Sequence, residues 1–86
     1  MDTNQPHWVY VIENPAGRRY IGISIDPEIR VIQHNQGKSK WTRKYVPWRL
    51  VWRKKFESLS DARKIESMLK RQKGGVGFYR YTGLKR

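Results

Sequence analysis

Five residues of this chain have types and spacings that suit joint chemistry: Tyr10, Tyr20, Arg30, His34 and Glu66. Arg30 and His34 stand four residues apart, so they share a face if the segment is helical. Tyr10 and Tyr20 fall in two neighbouring stretches that read as paired strands, and facing strands can bring their rings together. Glu66 is one of seven acids in a chain with nineteen Lys and Arg. These are the parts that phosphodiester hydrolysis needs. A cation holds the phosphate, a polar group orients or deprotonates water, and a carboxylate brings a metal to the developing charge. Magnesium keeps several waters and takes few carboxylates, so one Glu suffices. Taken singly, each residue also has a structural reading. A strand Tyr fills a core, a helix Arg is solvated, a lone His is structural, and Glu66 pairs with Arg63, Lys70 or Arg71.

The elements that must position these residues follow from local signals. Residues 7–13, HWVYVIE, are aromatic and β-branched and read as a strand. Asn14-Pro15-Ala16-Gly17 is a turn cluster. Residues 19–25 read as the return strand of a hairpin. Both strands carry apolar residues at most positions, which predicts cover on both faces. Asp26 is suited to cap a helix and Pro27 to open it. That helix should run to about Gln36, with Gly37 closing it. Residues 38–47 form a basic, aromatic loop, and residues 48–56 a third strand. Ser60 is a plausible cap for a second helix, with Asp61 in its first turn and Lys70, Arg71 and Lys73 in its last, as the helix dipole favours. Gly74-Gly75 stops it. The tail, residues 76–86, is aromatic and basic and leaves open a short strand, a turn or a mobile segment, with packing favoured at Phe78, Tyr79, Arg80 and Tyr81; the first six residues read as loose. The expected class is α+β: a small three-stranded antiparallel sheet flanked by helices, in β-β-α-β-α order. One domain spans residues 1–86, with a core at 7–73 and a basic aromatic tail at 74–86.

Charge and composition bound the partners. The net charge is +12 in 86 residues. Such a chain attracts polyanions, and nucleic acid releases counterions when its phosphates are neutralised. No long basic amphipathic helix presents a continuous apolar face, which ranks a membrane surface lower. No apolar run approaches the about 20 residues of a membrane span. The opening residues lack a signal-peptide pattern, so a cytoplasmic protein is expected. The chain has no Cys, which excludes disulfides, thiolate metal sites and a Cys nucleophile.

In order along the chain, these residues resemble the GIY-YIG nuclease family over roughly residues 7–73. The first motif stands here as Val9-Tyr10-Val11 and the second, intact, as Tyr20-Ile21-Gly22, with nine residues between the tyrosines. Ser24 to Arg30, then His34 to Lys38, is similar to the family helix that bears a catalytic Arg followed one turn later by His or Tyr. Trp41-Thr42-Arg43, Pro47 to Val51, and Ala62 to Glu66 with Leu69-Lys70 resemble the compact, stand-alone bacterial branch. The resemblance implies an endonuclease with one divalent metal, Mg2+ or Mn2+. Arg30 would hold the scissile phosphate with its forked guanidinium. Glu66 would be the sole protein metal ligand. Tyr10 or Tyr20 would orient or deprotonate water, His34 would hydrogen-bond the phosphate or assist proton transfer, and Gly22 would let backbone and substrate approach closely. A free phenol is a poor base at neutral pH, so nearby positive charge would have to lower its pKa. Two departures stand out. Ile23 occupies a position where some members carry Lys, and the chain's asparagines are 4, 14 and 35 only, none of them near its end.

For substrate contact, Lys38, Lys40, Trp41, Arg43, Lys44 and Tyr45 mix cations with aromatics. That composition suits phosphate contact plus base stacking on single-stranded or distorted nucleic acid, and it equally suits rings capping the core beside solvated cations. DNA is favoured over RNA as partner. Sequence-specific reading is not expected without a second domain, though a protein partner could supply specificity. Two rivals share the scaffold: a non-catalytic nucleic-acid-binding module, and a nuclease subunit that acts only with a partner. A basic structural protein is a third, and it leaves the ordered motifs unexplained.

Overall fold

The computed structural model describes residues 5–85. Three strands, β1 (His7–Glu13), β2 (Arg19–Ser24) and β3 (Arg49–Phe56), form one antiparallel sheet in the order β2-β1-β3. The strand bearing Tyr10 is therefore central. Val9, Tyr10, Val11 and Ile12 are all buried, as expected for a strand covered on both faces. Beside β1, Tyr10 faces Gly22 and Ile12 faces Tyr20. On the other side the register with β3 shifts between Val11 and Ile12.

Side-chain alternation divides the sheet residues between two cores. On one face Tyr10 and Ile12 pack with Trp48, Tyr20, Val31, Tyr45 and Leu50. Helix α1 (Pro27–Asn35) belongs to this side. On the other, Val9, Val11 and Ile21 pack with Ala62, Leu69 and Phe78. Ala62 and Leu69 belong to α2 (Leu59–Gln72), and Phe78 to α3 (Val76–Thr82). The sandwich is thus helix, sheet, helices, in β-β-α-β-α-α order.

The first helix starts as its residues dictate. The Asp26 carboxylate accepts from the Ile29 backbone N–H at 3.2 Å, and Pro27 occupies the first turn. Three expectations change. The second helix is capped by Ser58, whose hydroxyl accepts from Asp61 N–H at 3.0 Å. Ser60 lies two residues later, inside the helix. The loop at 38–47 contains a short 3₁₀ turn, Thr42–Tyr45. The tail is a helix, α3, ended by Gly83 at φ 76°. Its Phe78 is fully buried. An aromatic side chain so placed contributes about 1.5–3 kcal/mol, enough to fasten a two-turn helix that would not form alone. The core therefore extends past residue 73. Of the N-terminal stretch expected to be loose, residues 1–4 lie outside the described residues. Among the described residues no helix is long and apolar enough to cross a membrane.

Candidate active site

The two helices of the sandwich lie on opposite faces, yet their polar residues meet past the edge strand β2. An open cleft of about 490 Å³ is lined by Tyr10, Tyr20, Gly22, Arg30 and Glu66, together with His7 and Arg63. Tyr10 comes from the central strand, Tyr20 from the edge strand, Arg30 from α1 and Glu66 from α2. Residues far apart in the sequence are thus brought together beside the edge strand β2. The Tyr10 and Tyr20 ring centroids are 6.4 Å apart.

Gly22 serves a different neighbour from the one expected. A Cβ at this position would lie 2.6 Å from the Tyr10 hydroxyl oxygen and 2.8 Å from Cζ. The space that glycine leaves is filled by the Tyr10 phenol, not held open for substrate.

Tyr10 is 1% exposed and its oxygen is joined to His34 Nε2 at 2.9 Å. The Arg30 guanidinium lies close enough to the Tyr10 phenol to act on it electrostatically. Burial, and then the adjacent Tyr20, push the Tyr10 phenol well above its ordinary pKa. Arg30 pulls the other way and does not prevail. By the chain's own groups, Tyr10 is a neutral phenol.

His34 does not face the cleft. It is fully buried, with Nε2 on Tyr10 and Nδ1 on Thr42 Oγ1 at 2.7 Å. Burial, helped by the charge of Arg30, lowers its pKa to about 4, so the ring is neutral at pH 7. A neutral imidazole between two hydroxyls accepts from one and donates to the other, in either tautomer. Direct contact between His34 and a phosphate, as expected from the sequence, would require it to leave both partners. Thr42 carries a second tie, its carbonyl accepting from Trp48 Nε1 at 2.8 Å. Nothing in the sequence but a small hydroxyl between Trp41 and Arg43 marks Thr42 as the pin of this turn.

Arg30 is half-buried and its Nη1 donates to Gln33 Oε1 at 3.0 Å. Glu66 pairs with Lys70, one turn along α2, at 3.1 Å. Two cleft residues were missed. Arg63 lies one turn before Glu66 on the same helix face, which i,i+3 spacing could have shown. His7 shares a strand face with Val9 and Val11, the face that α2 covers. Its Nδ1 is buried and has no hydrogen-bond partner among the described residues.

The expected contact loop divides. Lys38, Lys40, Arg43 and Lys44 are exposed. Trp41 is 42% exposed and stacks on Tyr20, centroids 6.0 Å apart at 28°. It also lies 5.0 Å from the Tyr45 ring. Tyr45 is half-buried beneath the Arg18 guanidinium, 4.2 Å from its ring centroid. These rings therefore cap the core and reach the surface at once. The asparagines are structural ties. Asn14 Nδ2 donates to the Tyr45 carbonyl, and Asn35 binds both backbone groups of Trp48. Asn4 lies outside the described residues.

Among the described residues no cluster of three or more His, Cys, Asp or Glu could cage a metal. One half-buried carboxylate, with a cationic partner able to swing away, fits a hard and mostly hydrated divalent ion. It does not fit a closed zinc site.

The family of the GIY-YIG catalytic domain matches residues 6–78. The chain belongs to the GIY-YIG family. That span covers β1 through Phe78 and so takes in every residue of the cleft. Within GIY-YIG proteins the chain is similar to a UPF0213 protein of Streptococcus pneumoniae, 39% identical over 67 residues, covering 77% of this chain and 68% of that one. It is 35% identical over 74 residues to a UPF0213 protein of Enterococcus faecalis, covering 83% and 84%. The solution structure of a UPF0213 protein from Bacillus halodurans is 36% identical, with a TM-score of 0.49, covering 77% of this chain and 71% of that one.

Proposed function

We propose that this GIY-YIG protein is a metal-dependent endonuclease that hydrolyses DNA phosphodiester bonds and selects substrates by strand structure rather than by base sequence. The observation that carries this reading is the convergence of Tyr10, Tyr20, Arg30 and Glu66 on one cleft from both faces of the sheet. A protein that only bound nucleic acid would need the surrounding cations but not a half-buried carboxylate among them.

Arg30 binds the scissile phosphate through its fork, and Arg63 adds a second charge from the α2 wall. Glu66, now paired with Lys70, would hold a divalent ion, Mg2+ or Mn2+. Bound there, it would supply positive charge that stabilises the transition state and acidifies water. Tyr10 is kept neutral and already engaged by His34, so it stands fixed beside Arg30 and orients the phosphate. Tyr20 is the tyrosine that receives the attacking water. Water's oxygen bonds to phosphorus, the bond from phosphorus to the leaving sugar oxygen breaks, and that oxygen takes up a proton. His34 positions Tyr10 from behind and touches no substrate. The exposed cations at 38, 40, 43 and 44 track the phosphate backbone, and a protein partner is the natural source of any further specificity.

The test uses end-labelled single-stranded, duplex, flap and junction DNA and one RNA, each with Mg2+, Mn2+ or EDTA. Cutting that requires metal and is lost in Glu66→Gln and Arg30→Ala, with Glu66→Gln still binding, is the expected result. Binding without cutting on every substrate would favour the binding module. Cutting that appears only after another protein is added would favour the partner-dependent subunit. Binding should also weaken steeply between 50 and 200 mM salt, by roughly 10³-fold or more if six or more phosphates are contacted.

A further inference from the structure

A second, smaller pocket of about 320 Å³ lies beside the turn of the β1–β2 hairpin. Arg18, Arg19, Trp41, Lys73 and Phe78 line it. Nothing in the mechanism above uses it, and its side chains are unusually committed.

The Arg19 side chain is 12% exposed, with its guanidinium 5.7 Å from the Phe78 ring centroid. Its Nη2 donates to the Lys85 carbonyl at 2.5 Å, while Nε is buried with no partner among the described residues. Lys73 donates to the Arg19 carbonyl. Its ammonium is held below its ordinary pKa by burial first, then by Lys70 and Arg18. Among the described residues, the only carboxylate ion-paired to Arg18, Arg19 or Lys73 is Glu13, 3.8 Å from Arg19 and shared with Arg49. Positive charge is thus concentrated here beyond what the chain itself balances, in a recess with an aromatic wall. That wall includes Trp41, which also stacks on Tyr20. Tyr20 lines the catalytic cleft. Pocket and cleft are therefore separated by two stacked rings.

We infer that this pocket is a nucleotide subsite: the base of an unpaired nucleotide next to the scissile phosphate stacks on Trp41, and its phosphate is held by Arg18 and Lys73. Base stacking on an aromatic side chain tolerates any sequence, because every base has a π-face. A paired base is already stacked in its own duplex and cannot enter. The pocket thereby sets the substrate class, a strand with at least one unpaired nucleotide beside the cut. The inference rests on the nuclease reading for its position relative to the cut, and on the pocket alone for its ligand.

The experiment measures binding, by fluorescence anisotropy, in the Glu66→Gln background so that cutting cannot intervene. Three labelled DNAs are used: a single strand, a duplex with a one-nucleotide flap, and a fully paired blunt duplex. Trp41→Leu keeps apolar cover over Tyr45 and removes the π-face. Lys73→Gln removes the charge and keeps a side-chain amide able to donate to the Arg19 carbonyl. Lys55→Gln, exposed on β3, is the control for charge alone. The subsite predicts that Trp41→Leu and Lys73→Gln weaken single-strand and flap binding roughly tenfold and blunt-duplex binding by much less. Lys55→Gln should lower all three alike. Equal losses on all three DNAs in the pocket variants, or none, would overturn the subsite. Wild-type cutting is scored separately. Selective loss of binding without any cutting would keep the pocket and remove the nuclease, whereas cutting without selectivity would do the reverse.

Discussion

The Tyr10 hydroxyl stands where a side chain on residue 22 would stand, 2.6 Å from the position of a Cβ. Tyr10 is fixed on its other side by His34, so it has nowhere to retreat. Gly22→Ala should therefore overpack the site, lowering stability by about 1–3 kcal/mol. It should lower cleavage further still, because the Tyr10 oxygen beside Arg30 is displaced. Urea unfolding and single-turnover cutting measure the two effects. A fully stable, fully active Gly22→Ala protein would mean that the Tyr10 ring is not held as described.

His34 makes stability depend on pH in a definite window. Its folded pKa is about 4 against an ordinary 6.5. The unfolded chain takes up a proton below 6.5 that the folded chain refuses until about 4. Stability is thus flat in this term above pH 6.5, falls as pH drops from 6.5 to 4, and levels below. The loss amounts to up to about 3 kcal/mol. Urea midpoints at pH 8, 6, 5 and 4 should show a steeper fall for wild type than for His34→Gln, which cannot titrate. Parallel curves for the two proteins would refute a neutral, buried His34.

The second helix offers a test of one atom. Ser58→Ala removes the hydroxyl that accepts from Asp61 N–H and should cost about 1 kcal/mol. Ser60→Ala, at an exposed position inside the helix, should stay within about 0.5 kcal/mol of wild type. Urea unfolding of both variants decides it; a larger loss from Ser60→Ala would move the cap back to where the sequence alone suggested.

The contrast between these serines shows what the sequence carries. Strand and helix identity were legible because periodicity, Pro27 and Gly37 are local signals. Ser58 against Ser60 was not, since both precede the same apolar pattern and only the path of the chain out of β3 chooses. The tail was ambiguous for a related reason. Its helix depends on Phe78 finding the core beneath α2, which is a tertiary event. In the candidate site, Tyr10, Tyr20, Arg30 and Glu66 could be read as a set from motif order. His7 could not, because its relevance depends on which sheet face α2 covers. The burial of His34 was hidden as well, since four-residue spacing puts it beside Arg30 but says nothing of Thr42 closing over it.

The two tyrosines should separate when each loses only its oxygen. Tyr10→Phe leaves His34 Nε2 buried without its partner, which costs about 1–3 kcal/mol of stability. Tyr20 meets its neighbours through its ring, 5.0 Å from His34 and 6.0 Å from Trp41. Phenylalanine keeps that ring, so Tyr20→Phe should unfold within about 0.5 kcal/mol of wild type. If Tyr20 receives the attacking water, its loss should still lower single-turnover cleavage by roughly 10²-fold or more, with substrate binding unchanged. Tyr10→Phe should lower cleavage too, and part of that loss should return at low temperature or with added stabilising osmolyte, because it reflects a displaced Arg30. Full activity in Tyr20→Phe, beside an irreversible loss in Tyr10→Phe, would reverse the assignment. The buried phenol would then be the group that meets the water, and it would need a charge beyond those of this chain to lower its pKa.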